Sequence, residues 1–120
     1  MYILLLAVIY TLVLLYFNFA TIDRLMPETE MFPIDKLIHF LAYSVLGFVW
    51  TIWWGVSFGL KRFLHLYILL LLYGILIESL QERVNPMRSF DWWDLLANCL
   101  GIMCGIIIAV YFLKCKVKIT

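Results

Sequence analysis

The chain has 120 residues, of which 66% are hydrophobic and 14% are charged, and its mean hydropathy is +1.01. A composition this apolar excludes a soluble globular domain and is typical of an integral membrane protein. The net charge of +1 and the scattered basic residues give no support for a nucleic-acid partner, so we expect none.

Four apolar stretches follow one another along the chain. A helix needs roughly 20 residues to cross a hydrocarbon core about 30 Å thick, and residues 2–20, 37–56, 63–80 and 92–113 come close to that length. We therefore predict an all-α fold, a polytopic membrane protein whose single domain over residues 1–120 is a four-transmembrane-helix bundle. The first stretch has neither the basic residue nor the cleavage site of a signal peptide, so we expect it to remain as a helix.

The predicted spans are joined by polar segments that set the orientation. Residues 21–36 contain Pro27 and Pro33 among several charges, so we predict a loop there. All eight acidic residues lie on the side of the first and third connections. Five basic residues lie on the opposite side, and four lie on the same side as the acids. Short segments rich in Lys and Arg stay in the cytoplasm, so we predict that both termini are cytoplasmic and the acidic segments are outside.

Polar side chains from three predicted helices converge at the acidic side. They recur at helical spacing: Asp35, His39 and Tyr43 on the second helix, Glu78, Gln81 and Glu82 on the third, and Asp91, Asp94 and Asn98 on the fourth. At about 1.5 Å per residue, Asn98 lies roughly 9 Å below Trp92. A charge in a span costs up to about 2.5–3.5 kcal/mol, so we expect these groups to face one another across a small water-accessible basin.

Two interpretations are open for the polar groups inside the apolar stretches: His39, Glu78, Gln81, Asp94 and Asn98. Ionisable residues within a membrane span usually mark a functional site. Amide and carboxyl groups also join neighbouring helices by hydrogen bonds. The small residues Gly101 and Gly105, one turn apart, predict a close approach of another helix to the fourth one.

The polar motifs resemble those of a known family. Asp35-Lys36-x-x-His39-Phe40, then Glu78-x-x-Gln81, then Arg88 followed by Asp94-x-x-x-Asn98-x-x-Gly101, are similar in order and spacing to the VanZ-like family of small bacterial membrane proteins. The resemblance covers about residues 34–106. It implies a multi-pass protein of the bacterial inner membrane with a role at the cell envelope, and the family is named for resistance to the glycopeptide antibiotic teicoplanin.

The residue types of this cluster suit acid-base chemistry. His39 has an ordinary pKa of about 6.5, near neutrality, and we expect it to act with Glu78 and Asp94 as the catalytic, proton-transferring groups. Five further residues are expected to bind the substrate: Asp35, Lys36, Gln81, Arg88 and Asn98. Arg88 with Lys36 suits a phosphate or carboxylate, and the amides of Gln81 and Asn98 supply neutral hydrogen bonds.

A metal site is an open variant of the same cluster. His39, Glu78 and Asp94 would suit zinc, manganese or magnesium. The chain has no His-x-x-x-His or Cys-x-x-Cys spacing, and Arg88 nearby would oppose a cation. We therefore predict no metal ligand, and the sequence names no cofactor.

Two functions are compatible with these observations. The first is an envelope enzyme that acts on a lipid-linked or amphiphilic substrate by acid-base chemistry. The second is a non-catalytic membrane protein that binds an envelope lipid or a glycopeptide ligand through the same groups. An acid, a base and a cation that converge on one place favour the enzyme function. The lack of a recognisable nucleophile weakens the support for it. Membrane lipids are expected partners in both cases.

The predicted orientation can be tested by labelling. Single cysteines at Glu28 and Asn85, in a background without the three native cysteines, should react with a membrane-impermeant thiol reagent in intact cells, because both positions lie in the outer segments. A cysteine at Ser57 should stay unlabelled until the cells are opened. Labelling at Ser57 in place of the other two positions would contradict the orientation.

Overall fold

The computed structural model describes residues 1–19, 28–54, 60–84 and 90–119, with side chains described from residue 34 in the second helix and up to residue 116 in the fourth. This part of the chain forms four helices: α1 (Tyr2–Phe19), α2 (Glu28–Trp54), α3 (Leu60–Val84) and α4 (Trp92–Ile119). The described ranges contain no strand. Each helix is long and apolar enough to cross a membrane, and the all-α prediction is confirmed.

The helices extend beyond the apolar stretches that mark them in the sequence. α2 begins at Glu28, so the loop prediction for residues 28–36 is wrong. Pro33 is the sixth residue of α2, so it removes one intrahelical hydrogen bond, yet the helix continues through it. α4 likewise continues to Ile119. Hydropathy marks the part of a helix that lies in lipid, whereas the backbone stays helical past that limit.

The burial pattern of the bundle differs from that of a soluble protein, because large apolar side chains cover the outer surface as well as the core and several polar side chains are buried. Among the side chains that the structure describes, the buried polar ones are His39, Thr51, Glu78, Gln81, Asp94 and Asn98. Large apolar side chains face outward, and those of Leu69, Leu72 and Leu76 on α3 are more than half exposed. An outer surface of this kind is stable only against lipid tails. The protein is therefore embedded in the membrane, in contact with lipids.

The most extensive helix contact joins α2 to α4, and glycine makes it possible. A side chain at Gly105 would collide with the backbone oxygen of Ser44, and one at Gly101 would collide with that of Phe40. Gly47 on α2 faces the backbone oxygen of Ile102 in the same way, since an added Cβ would lie 2.7 Å from it. The two backbones therefore touch directly, which confirms the predicted close approach to Gly101 and Gly105.

Polar contacts attach α1 to the other helices. The Tyr10 hydroxyl donates to the backbone oxygen of Ala42 at 2.7 Å, and the Tyr73 hydroxyl donates to that of Thr11 at 3.0 Å. The Trp50 indole N–H donates to the Thr11 hydroxyl at 3.0 Å. These bonds supplement an apolar core drawn from all four helices: Leu14, Tyr43, Leu46, Leu66, Leu70, Ile102 and Ile106.

The close contact between α2 and α4 predicts that an added methyl group lowers stability more at a glycine in this contact than at a glycine outside it. Gly105→Ala should lower the stability of the purified protein by about 1–3 kcal/mol, because backbone atoms of Ser44 and Phe48 must move apart. Gly74→Ala is the matched control, since the atom nearest to its Cβ belongs to the side chain of Tyr43, at 3.2 Å. Thermal unfolding in detergent measures both variants. Equal losses would contradict the proposed importance of the α2–α4 contact.

Candidate functional site

The ammonium group of Lys36 lies among three carboxylates at the end of the bundle where α4 begins. Lys36 Nζ donates to Asp91 Oδ2 at 2.6 Å and to Asp94 Oδ1, and it lies 3.3 Å from Asp35 Oδ2. The Lys36 side chain is 18% exposed and that of Asp94 is 3% exposed. Charge-assisted hydrogen bonds are the strongest kind in proteins, so this lysine joins the start of α4 to α2.

The imidazole of His39 is held on one side and faces carboxylates on the other. Its Nδ1 lies 3.2 Å from Asn98 Oδ1, and because an amide oxygen only accepts, Nδ1–H is the donor. Its Nε2 lies 3.5 Å from Asp35 Oδ1 and 3.9 Å from Asp94 Oδ2. The bond to Asn98 fixes the ring orientation. The opposite nitrogen is therefore the one that can exchange a proton with a neighbouring group.

Asp91 caps α4 while it binds Lys36. Its Oδ1 accepts the backbone N–H of Trp93 at 2.9 Å, and its backbone oxygen accepts that of Leu95 at 3.2 Å, as expected of an N-cap residue. Burial alone would raise the pKa of Asp91, but the hydrogen bonds from Lys36 and from the Trp93 backbone hold this pKa below its ordinary value. Asp91 is therefore an anion at neutral pH.

α3 contributes Glu78 and Gln81 from the opposite side of the cluster. Glu78 is 2% exposed and lies within electrostatic reach of both His39 and Tyr43. The Gln81 amide N–H₂ donates to the backbone oxygen of Asn18 and, at 3.2 Å, to the Asn18 side-chain oxygen. Gln81 therefore ties α3 to the end of α1 as well as lining the interior.

The structure brings most of the sequence-predicted site residues into one cluster. Direct contacts join five of them: Asp35, Lys36, His39, Asp94 and Asn98. Glu78 adds its charge from α3, and Gln81 lies beside the cluster in contact with α1. Arg88 lies outside the described residues.

Two residues of this region have no assigned role in the predicted site, although one of them, Asp91, lies on the polar face predicted for the fourth helix. Asp91 stands directly before the first residue of α4, and an acidic residue at that position is a recognisable N-cap signal. That signal predicts the cap but not the bond to Lys36. Asn18 reads in the sequence only as a polar interruption near the end of the first span. Its contact with Gln81 depends on how α1 docks, which no local pattern reveals.

Three side chains of the cluster have the spacing of a metal site. Asp35, His39 and Asp94 each offer one ligand atom, and these atoms lie within 4.8 Å of one another. The set differs from the one considered from the sequence, since Asp35 takes the place of Glu78. Lys36 binds other oxygens of the same two carboxylates. A metal ion here would therefore share those carboxylates with an ammonium group and be repelled by it.

Fold and site together define a class: a four-helix, multi-pass membrane protein with a buried, acidic, histidine-containing cluster at one end of the bundle. A family model described as VanZ/LLP1 matches residues 2–114. The chain belongs to the VanZ/LLP1 family, which confirms the resemblance seen in the motifs and extends it over α1. No curated protein and no solved structure matches the chain.

Removing the Lys36 ammonium should strongly lower the stability of the protein, and a second substitution in the cluster should reverse part of that loss. Lys36→Met should destabilise the protein by about 3–5 kcal/mol, because it leaves several carboxylates close together without their cation. Adding Asp94→Asn should restore part of this loss, since it removes one of the uncompensated charges. Thermal or denaturant unfolding in detergent measures the cycle.

Lys61→Met is the matched control for this cycle, because Lys61 is exposed at the start of α3. It should change the stability by no more than about 0.5 kcal/mol. The importance of Lys36 would be contradicted if Lys36→Met were as mild as the control. The pairing with Asp94 would be contradicted if the two substitutions were additive.

Proposed function

We propose that this protein is a cell-envelope enzyme that acts by acid-base chemistry on a lipid-linked or amphiphilic substrate. The observation that carries the proposal is the setting of His39. Its ring is 7% exposed, held at Nδ1 by Asn98, and turned at Nε2 toward Asp35 and Asp94. A histidine oriented in this way is the usual form of a general base or acid.

In the proposed chemistry, Nε2 of His39 accepts a proton from a substrate hydroxyl or a water molecule. Asp35 and Asp94 stabilise the imidazolium that forms, because their oxygens lie 3.5 Å and 3.9 Å from the same nitrogen. Glu78 is the second acid-base group. It is nearly fully buried on α3 and lies within electrostatic reach of the ring.

The proposed binding roles follow from the charges. Lys36 contacts three carboxylates, which suits it to position the acids more than to hold an anionic substrate. We assign the anionic part of the substrate to Arg88, whose guanidinium can form two parallel hydrogen bonds to a phosphate or carboxylate. Asn98 orients the ring, and Gln81 lines the interior beside it.

We place the cluster at the outer face of the bacterial inner membrane, with both termini in the cytoplasm. The charge distribution supports this orientation, since all eight acidic residues belong to the segments on the side of the cluster. A substrate held there would be anchored in the outer leaflet. The family resemblance adds the expectation that the protein alters susceptibility to teicoplanin.

A second candidate function is binding without catalysis. The hydroxyl group of Tyr43 and the amide nitrogen of Asn98 are buried without hydrogen-bond partners among the described residues. Such atoms favour a ligand that completes their hydrogen bonds, and binding a lipid or a glycopeptide would be enough. The two functions differ in whether a chemical product accumulates in cells.

The test is quantitative mass spectrometry of envelope lipids and cell-wall precursors, together with teicoplanin susceptibility. Cells would express the wild type, His39→Gln or Glu78→Gln at matched protein levels. We expect one lipid or precursor to change in abundance with the wild type only. Loss of an acid-base group typically lowers the rate by about 10²–10⁴-fold, so both variants should resemble cells without the protein.

His65→Gln is the matched control, because His65 is exposed near the start of α3, where its ring contacts the backbone of Lys61. It should behave as the wild type. If lipid profiles agree for all variants, while purified wild-type protein binds teicoplanin or an envelope lipid saturably and His39→Gln does not, the enzyme proposal is wrong and the binding function holds.

A further inference from the structure

Unsatisfied polar atoms lie in the interior beside the acid-base cluster. Tyr43 and Asn98 are each 1% exposed, and Gln81 is 3% exposed. Among the residues described, the Tyr43 hydroxyl, Asn98 Nδ2 and Gln81 Oε1 have no hydrogen-bond partner. A buried polar group left unpaired is costly inside a membrane protein, because lipid tails offer no hydrogen bond in place of water. These atoms therefore indicate a polar ligand.

Tyr43 and Asn98 converge on one point of α3. A Cβ built on Gly74 would lie 3.2 Å and 3.8 Å from ring atoms Cε1 and Cζ of Tyr43, and 3.7 Å from Asn98 Nδ2. Glu78 follows Gly74 by one helical turn, is 2% exposed, and interacts electrostatically with Tyr43. A phenolic hydroxyl, an amide N–H₂ and a carboxylate thus share one buried region between α2, α3 and α4.

This region lies directly inward of His39. The amide oxygen of Asn98 accepts a hydrogen bond from His39 Nδ1, and its amide nitrogen lies on the side of Gly74. A group bound to that nitrogen would therefore be one side chain away from the proposed proton-transfer site.

The charges of the region select the ligand. Asp35, Asp91 and Asp94 surround the single ammonium of Lys36, and Glu78 adds a further acid, so a phosphate would be repelled here. An ammonium ligand has donors only and cannot accept from the Asn98 amide. A hydroxyl can accept from the Asn98 amide and can exchange a hydrogen bond with the Tyr43 hydroxyl, which satisfies both unpaired atoms.

We propose that Tyr43, Asn98 and Glu78 form a subsite for the free hydroxyl groups of a polyol or sugar head group of a membrane lipid. The proposal rests on the proposed function in that it uses the same cluster and names the class of its substrate. It does not depend on catalysis, since binding alone tests it.

The test compares two lipids that differ only in their hydroxyl groups. Purified protein in phosphatidylcholine nanodiscs is titrated with short-chain phosphatidylglycerol or with short-chain phosphatidylpropanol, which keeps the phosphodiester charge and the three-carbon head group but has no head-group hydroxyl. The wild type should bind phosphatidylglycerol at least about tenfold more tightly, the value of one or two hydrogen bonds. A short-chain glucosyl lipid distinguishes a sugar from a glycerol as the natural source of the hydroxyls.

Tyr43→Phe removes the hydroxyl and keeps the ring. It should weaken phosphatidylglycerol binding about tenfold and leave phosphatidylpropanol binding unchanged. Tyr111→Phe is the matched control, because Tyr111 is 72% exposed on α4, and it should change neither. Gly74→Ala is a second variant, which narrows the region without removing a polar atom and should also weaken phosphatidylglycerol binding.

The outcomes separate this proposal from the proposed function. Equal binding of all three lipids by the wild type overturns the hydroxyl subsite and assigns the unpaired atoms to buried water, whatever the cellular assay shows. A hydroxyl preference that persists in both Tyr43→Phe and Gly74→Ala also overturns it. A preference that disappears in the variants supports the subsite even if no lipid changes in cells.

Discussion

The direct backbone contact between α2 and α4 is the constraint on which the rest of this structure depends. Gly47, Gly101 and Gly105 remove the side chains that would hold the two helices apart. With the helices this close, residues near the start of α2 reach those near the start of α4. Lys36 then meets Asp91 and Asp94, and His39 meets Asn98. A wider separation would leave each of these groups without its partner.

The charged cluster is tolerated in a membrane protein because its members compensate one another. A lone charge in a span costs several kcal/mol, whereas Lys36 is bound by three carboxylates and His39 faces two of them. Asp91 also neutralises part of the partial positive charge at the start of α4 as its N-cap. The free-energy cost of removing these charges from water is lower because the cluster lies at the end of the bundle.

Polar side chains share the interior of this fold with its apolar core, and apolar side chains also cover its outer surface. The interior holds carboxylates, amides and an imidazole beside buried leucine and isoleucine side chains, while other leucine and isoleucine side chains form the outer surface. Since lipid tails cannot satisfy a hydrogen bond, every polar side chain in a span gains by turning inward. The residues of the proposed site therefore also join the helices of the bundle, whereas the Tyr43 hydroxyl and the Asn98 amide nitrogen make no hydrogen bond among the described residues.

The sequence by itself determined the membrane class, the number of helices and the faces on which polar residues lie. These follow from composition and helical periodicity, which are local properties. It also identified most of the cluster, because charged and amide side chains inside apolar stretches are conspicuous. The start of α2 was misjudged, since prolines and charges near a helix end suppress hydropathy without breaking the backbone.

Only the tertiary structure decided which of these residues touch. Three contacts join positions about 55 to 63 residues apart: Lys36 with Asp91, His39 with Asn98, and Gln81 with Asn18. Such pairings depend on the depth and rotation at which whole helices pack, and those are set by the glycine contact and by the docking of α1. The sequence of a single helix defines which residues share a face. It does not determine which other helix that face contacts, because this contact depends on how all four helices pack.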